Sequence, residues 1–97
     1  METSDPMIAV GTVQLDDDRF RVTEWRFAPG ASTRWHRHEC DYVVVPMTTG
    51  ELTITTAEAS FTAALVTGQS YARVAGTEHD VFNTNDFEFV FIEIEKK

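Results

Sequence analysis

The sequence predicts an all-β fold, either an antiparallel sandwich or a closed barrel. Turn signals recur at intervals of roughly 8 to 12 residues, and no segment keeps a helical period for more than about two turns. The segment 87–95, FEFVFIEIE, alternates so that large apolar side chains lie on both faces of one strand. A sheet with one face in water would expose half of them, whereas a barrel interior on one side and a second packed layer on the other would bury both.

Length and charge set the first limits. The chain has 97 residues, and we expect a single domain over residues 7–97 after a flexible N-terminus at residues 1–6. With 16 acidic and 8 basic residues the net charge is −8, so we expect no extended phosphate-binding face and no nucleic-acid partner.

The single cysteine and the hydropathy pattern bear on location. Cys40 has no second cysteine for an internal disulfide, and neither a signal peptide nor a long apolar run is apparent. We therefore expect a cytoplasmic protein without a membrane partner. The Cys40 thiol could serve as a metal ligand or redox group, although a half-buried thiol is the plainer alternative.

The N-terminal part predicts two strands, residues 7–15 and 19–28, joined by the acidic turn 16–18. β-branched and aromatic residues dominate both strands, and Gly11 is the candidate for a bulge in the first. Pro29-Gly30 then ends the second strand in a tight turn.

The next strand carries the residues of greatest chemical interest. Successive side chains of a strand point to opposite faces, so residues two apart share a face. This alternation would place four side chains together: Ser32, Arg34, His36 and His38.

Six further strands complete the prediction. Residues 42–46, YVVVP, are apolar enough for burial on both faces. The remaining strands are expected at 51–56, 57–67, 68–74, 79–83 and 87–95, with turns at 48–50, 67–68, 75–79 and 85–86.

The histidines suggest a metal site. His36 and His38 are two residues apart on one strand face, about 7 Å from each other, and two imidazoles so placed can hold one ion. His79 is the only other histidine, and only a closed or folded-over sheet could bring it beside the pair. Ordinary surface or hydrogen-bonded histidines are the alternative.

Both stretches around these histidines carry spaced glycines. The matching residues are Gly30, His36, His38 and Gly50 in the first stretch, and Gly68, Gly76, His79 and Asn83 in the second. The two patterns resemble the paired motifs of the cupin family, small jelly-roll barrels also called double-stranded β-helices. This resemblance implies that His36, His38 and His79 bind a divalent transition metal ion, whether iron, manganese, nickel or zinc.

The chain departs from the family motifs at two positions. Val74 stands where the second motif has proline, which should cost only some rigidity of the turn. Tyr42 stands where the first motif has a glutamate ligand, with Val43 at the alternative spacing. Glu39 and Asp41 are near but not at the expected offset, so the resemblance leaves a three-histidine site with open positions.

A closer likeness covers most of the chain, from about Arg21 to Glu95. The runs RVTEWRFAPG, WHRHECDYVVVP and GQSYARVAGTEH look like those of small bacterial cupins of β-alanine breakdown. The likeness implies a place in small-molecule catabolism without fixing a reaction.

Two main functions follow as expectations. In an enzyme, the metal would act as a Lewis acid or activate water or dioxygen, leaving oxygenase, isomerase and hydrolase chemistry open. Tyr42 would be a proton donor or weak fourth ligand, and Arg34 or Arg73 would hold the carboxylate of an anionic substrate. Alternatively, the barrel binds a small metabolite without changing it, or the metal only stabilises the fold.

We also expect a homodimer. Both faces of the last strand are apolar, and so is the segment 7–13, which a barrel of this size need not bury alone. The alternative is a monomer whose first strand covers its own outer face.

Overall fold

The computed structural model describes residues 5–97, which form nine strands and no helix, so the all-β expectation is confirmed. None of the described residues therefore belongs to a helix able to cross a membrane. Residues 1–4 of the predicted N-terminal segment lie outside the described part. The strands are β1 Val10–Asp16, β2 Phe20–Phe27, β3 His36–Arg37, β4 Asp41–Pro46, β5 Gly50–Thr55, β6 Ser60–Leu65, β7 Tyr71–Arg73, β8 Glu78–Asn83 and β9 Phe89–Lys96.

The strands form two antiparallel sheets that share one core. The first has the order β1-β2-β9-β4-β7 and the second the order β3-β8-β5-β6. Phe27 and Phe89 from the first sheet and Leu52 from the second are fully buried. Alternation along strands such as β4 and β9 explains this core, because every second side chain points between the sheets.

The first strand differs from the prediction in its bulge. The register of β1 on β2 shifts between Val13 and Leu15, not at Gly11. Gly11 serves a different purpose, since a Cβ atom there would lie 2.8 Å from the ring of Trp25. The glycine is therefore needed for the close approach of that indole.

The strand that follows Pro29-Gly30 is shorter than predicted. Only His36–Arg37 is regular strand, and Ser32 makes isolated bridges to Ile8 and Phe82. Arg34 has a φ of 68°, in the left-handed region, so it interrupts the alternation that would have kept it on the histidine face. The expectation that Arg34 shares a strand face with His36 and His38 is therefore wrong.

The last strand begins later than predicted. Phe87 lies before β9 and is 43% exposed, whereas Phe89 and Phe91 are buried. Glu93 continues their inward face and is buried as well. The Glu93 carboxylate therefore lies between the sheets, close to the His38 ring.

Candidate metal centre

Strand pairing brings the two histidine-bearing stretches together. In the antiparallel pair of β3 and β8, His36 lies directly opposite His79. The His38 amide donates to the carbonyl of Thr77 at 2.9 Å, and the Gly76 amide donates to the carbonyl of His38 at 2.8 Å. Gly76 has a φ of 91°, which favours glycine in this turn. The turn before β8 thus fixes His38 beside His79.

The three imidazoles converge through their Nε2 atoms. Nε2 of His38 lies 3.0 Å from Nε2 of His36 and 3.1 Å from Nε2 of His79. Nitrogens bound at about 2.1 Å to one metal ion are separated by about 3.0 to 3.4 Å for ordinary bond angles. These two separations fit a shared ion, and the ligand atoms of all three histidines lie within 4.8 Å of one another, so the residues could hold one.

The hydrogen bond of His36 fixes which nitrogen faces the centre. Its Nδ1–H donates to the backbone carbonyl of Arg34 at 2.9 Å, because a carbonyl oxygen can only accept. The lone pair of a neutral His36 is then on Nε2, as metal binding requires. Arg34 thus contributes to the site through its backbone.

Burial keeps two of the histidines neutral. Desolvation, followed by the neighbouring charges of His36 and His79, lowers the pKa of His38 to about 4. Desolvation also lowers the pKa of His79 to about 4, with smaller contributions from His36 and Arg73. Uncharged imidazole is the form that binds metal, so the centre is ready for a cation at neutral pH.

Glu93 is a site residue that was not predicted from the sequence. Its Oε1 lies 3.7 Å from Nδ1 of His38, and its Oε2 accepts a hydrogen bond from Nε1 of Trp25 at 3.4 Å. Burial, with a smaller effect of Glu95, raises the pKa of Glu93 to about 7. Because His38 stays neutral, the contact is not an ion pair in the absence of metal. The available signal was the alternation Phe89, Phe91, Glu93 on one face of the last strand.

Tyr42 packs against the centre with its ring. The ring stacks on that of His38, with centroids 3.8 Å apart and 19° between the planes. The side chain is buried, and its hydroxyl makes no close hydrogen bond among the described residues, although the Thr77 side chain lies near enough to affect its pKa. Desolvation and the nearby Glu93 raise the pKa of Tyr42 above its ordinary value. A proton-donating role stays a prediction, as does metal ligation by the phenol.

The two arginines proposed for substrate binding lie in different places. The guanidinium of Arg34 contacts Ser32 Oγ at 3.1 Å and Asp5 at 3.7 Å, and it does not line the cavity beside the histidines. Arg73 does line that cavity, stacked 4.6 Å from the centre of the Tyr71 ring. Of the two, only Arg73 is placed to meet a ligand near the histidines.

The polar neighbours of the motifs have mainly structural contacts. Asp41 accepts a hydrogen bond from the Ala75 amide at 2.8 Å, and Glu39 lies 3.6 Å from Arg37. Asn83 is fully buried and donates to the carbonyl of Phe87 at 2.8 Å. Cys40 lines the cavity but is not part of the histidine cluster.

A cavity of about 1010 Å³ opens beside the three histidines. Its polar part includes Tyr42, which pairs with Arg73 on one side and Glu95 on the other. Its apolar part is formed largely by β5 and β6, whose lining side chains are Leu52, Ile54, Phe61, Ala63 and Leu65.

Comparison with known proteins agrees with this geometry. A family model described as a cupin domain matches residues 23–95. The chain belongs to the cupin family. This cupin is 56% identical over 89 residues to the "Beta-alanine degradation protein BauB" of Pseudomonas aeruginosa, covering 92% of this chain and 94% of the relative.

Solved structures confirm the cupin fold. A cupin domain from Bordetella pertussis Tohama I is 56% identical, with a TM-score of 0.93 and coverage of 98% of this cupin and 99% of that chain. A cupin superfamily protein from Desulfitobacterium hafniense is only 18% identical, yet its TM-score is 0.72, with 98% and 83% of the two chains covered. The second likeness shows that the fold is kept when most of the sequence has changed.

Proposed function

We propose that this cupin binds one divalent transition metal ion, whether iron, manganese, nickel or zinc, through His36, His38 and His79, and acts in the breakdown of a small carboxylate or amino-acid-derived compound. The convergence of three Nε2 atoms within 3.1 Å of their nearest neighbour carries the proposal. The relative from Pseudomonas aeruginosa, whose name refers to β-alanine degradation, supports the class of compound. A cytoplasmic location belongs to the same proposal.

The metal would supply Lewis acidity or a bound, activated small molecule at positions that the protein leaves open. The residues of the chain would do the rest. Arg73 would orient a carboxylate, and the unpaired hydroxyl of Tyr42 would donate a hydrogen bond to it or to a reacting oxygen. Glu93 would accept the Nδ1 proton of His38 in a hydrogen bond and so hold that ring in place.

An anionic ligand fits the charge of this centre. Three neutral imidazoles leave the charge of a divalent ion uncompensated, because no carboxylate stands at the usual motif position. Arg73 adds a cation with no acidic partner among residues 5–97, since the ion pairs described there involve other basic side chains. A carboxylate would neutralise both.

A metabolite-binding module without catalysis is the second candidate. Tyr42 in place of the motif glutamate favours it, because the phenol is neutral at physiological pH and gives the ion no charged fourth ligand. Oxygen uptake and product analysis with candidate acids on the metal-loaded protein would separate this module from an enzyme.

The metal proposal is tested by measuring metal content after purification and reconstitution. We expect about one ion per chain in the wild type and none in the variant His36→Ala/His38→Ala/His79→Ala. The exposed substitution Glu58→Ala is a matched control, and circular dichroism checks that each variant keeps its strands. Stoichiometric metal in the triple variant would show that the assignment is wrong.

A further inference from the structure

The cavity beside the histidines is much larger than a small amino acid. It measures about 1010 Å³. A three-carbon amino acid fills on the order of 150 Å³, counting about 30 Å³ for each water-sized group. Cavities of this size normally enclose ligands several times larger, with apolar walls and a few polar groups that fix orientation.

The lining of the cavity contains both polar and apolar side chains. The polar lining includes the three histidines, where His36 pairs with His79, and Tyr42, which pairs with Arg73. The carboxyl groups of Glu93 and Glu95 line the same cavity. On β5 and β6 the pairs Leu52–Ala63 and Ile54–Phe61 face the same space, and we call these four side chains the apolar wall. A ligand in contact with both parts must itself have a polar end and an apolar body.

Two side chains are left without the contacts that they would normally have. Phe61 lines the cavity but is 51% exposed, so about half of one of the largest apolar groups of the wall is not covered by protein atoms. Tyr42 is only 4% exposed, and its buried hydroxyl makes no close hydrogen bond with residues 5–97, although the Thr77 side chain is near it. An unpaired buried hydroxyl costs free energy unless a ligand or water pairs with it.

We propose that this site takes a monocarboxylic acid with an apolar alkyl or aryl body, its carboxylate near Arg73 and Tyr42 and its body against the apolar wall. This inference deepens the proposed function and rests on it for the position of the acid group. The small side chain of Ala63, opposite Leu52, leaves the space that the apolar body of the acid occupies.

The test measures dissociation constants for straight-chain acids from propionate to decanoate by calorimetry, with zinc-loaded and with chelator-treated protein. We expect affinity to rise about fourfold per methylene, equivalent to about 0.8 kcal/mol, over the middle of the series. Arg73→Gln should weaken all acids by a similar factor, about tenfold or more, without changing that slope.

Substitution of the wall separates its effect from that of the acid group. Ala63→Leu should weaken octanoate at least tenfold and leave propionate nearly unchanged. Thr62→Leu is the matched control, since Thr62 is the neighbouring residue of β6 and does not line the cavity. Equal weakening of octanoate in both variants would overturn the placement of the body.

The outcomes distinguish this inference from the metal proposal. A flat series in the zinc-loaded protein would overturn the apolar-body inference even if zinc is bound at one ion per chain. If zinc is not bound, the metal proposal fails, and the slope measured on the metal-free protein still decides the inference: a rising slope supports it and a flat one overturns it.

Discussion

The carboxylate of Glu93 lies 3.7 Å from Nδ1 of His38, and both side chains are buried. A neutral imidazole that binds a metal through Nε2 carries its proton on Nδ1. Among the described residues, Glu93 is the only acidic side chain within 4 Å of that nitrogen. The first motif lacks its carboxylate, but β9 supplies one in Glu93. This carboxylate faces Nδ1 of His38 and not the Nε2 atoms that would hold the ion.

We expect Glu93→Gln to weaken zinc affinity about tenfold at pH 8, because partners of ligating histidines typically contribute factors of about 10 to 100. Competition against a chromophoric chelator measures this affinity. Glu95→Gln is the control, since Glu95 is two residues along the same strand and also lines the cavity. Equal affinities for wild type and Glu93→Gln would contradict a positioning role.

Tyr42→Phe should keep both the fold and the metal. Because the hydroxyl of Tyr42 is buried without a partner, its removal should leave the free energy of unfolding unchanged or raise it by about 1 kcal/mol. Tyr42→Phe should bind acids more weakly, because it lacks the hydroxyl that would donate to them. Tyr42→Glu should retain metal more tightly, because it restores a charged ligand. Urea unfolding and metal content measure these effects. Loss of metal in Tyr42→Phe would show that the phenol itself is a ligand.

Without metal, the stability of the protein should rise from pH 4 to about 6.5. The pKa values of His38 and His79 fall from 6.5 to about 4 on folding, so the unfolded chain binds more protons in that interval. Glu93 acts in the opposite direction, because its pKa rises from 4.5 to about 7 and the folded chain binds the extra proton. Two histidines outweigh one carboxyl group.

Denaturant unfolding of chelator-treated protein at several pH values tests this balance. Glu93→Gln should steepen the rise, since it removes the opposing group, and should stabilise the protein most above pH 7. A wild-type stability that falls between pH 4 and 6.5 would show that the histidines are not held neutral.

The homodimer stays a prediction, and the structure suggests which face would form it. The outer face of the first sheet carries six apolar side chains that are only half-buried: Val22, Val43, Val45, Val90, Ile92 and Ile94. Strand β1 extends the edge of this sheet beside β2 and does not cover that face. A two-fold axis could place the same patch of a second copy against it.

Sedimentation at micromolar concentration should therefore give the mass of two chains. Ile92→Arg, in the middle of the outer face, should shift the protein to one chain, because a buried unpaired charge is costly. Thr62→Arg on the second sheet is the control and should leave the mass unchanged. A wild-type mass near one chain would contradict the dimer.

The strand pattern and the three histidines could be predicted because they depend on local alternation and on fixed motif spacing. Glu93 could not, since nothing in the sequence places β9 between β2 and β4 or shows which side chains the inward face of β9 meets. Arg34 was misplaced for a local reason. A φ of 68° is rare for arginine, so the sequence shows no sign that the backbone leaves the extended conformation there. This turn changes the direction of the Arg34 side chain.

The central place of β9 affects how the protein folds as it is synthesised. The first sheet has the order β1-β2-β9-β4-β7, so its middle strand is the last of the nine to be made. Until it emerges, β2 and β4 have no partner on their facing edges, and such edges invite pairing with other chains. Contacts between distant parts of a chain also form slowly. The nascent protein should therefore depend on protection of those edges, for example by a chaperone, until translation has passed β9.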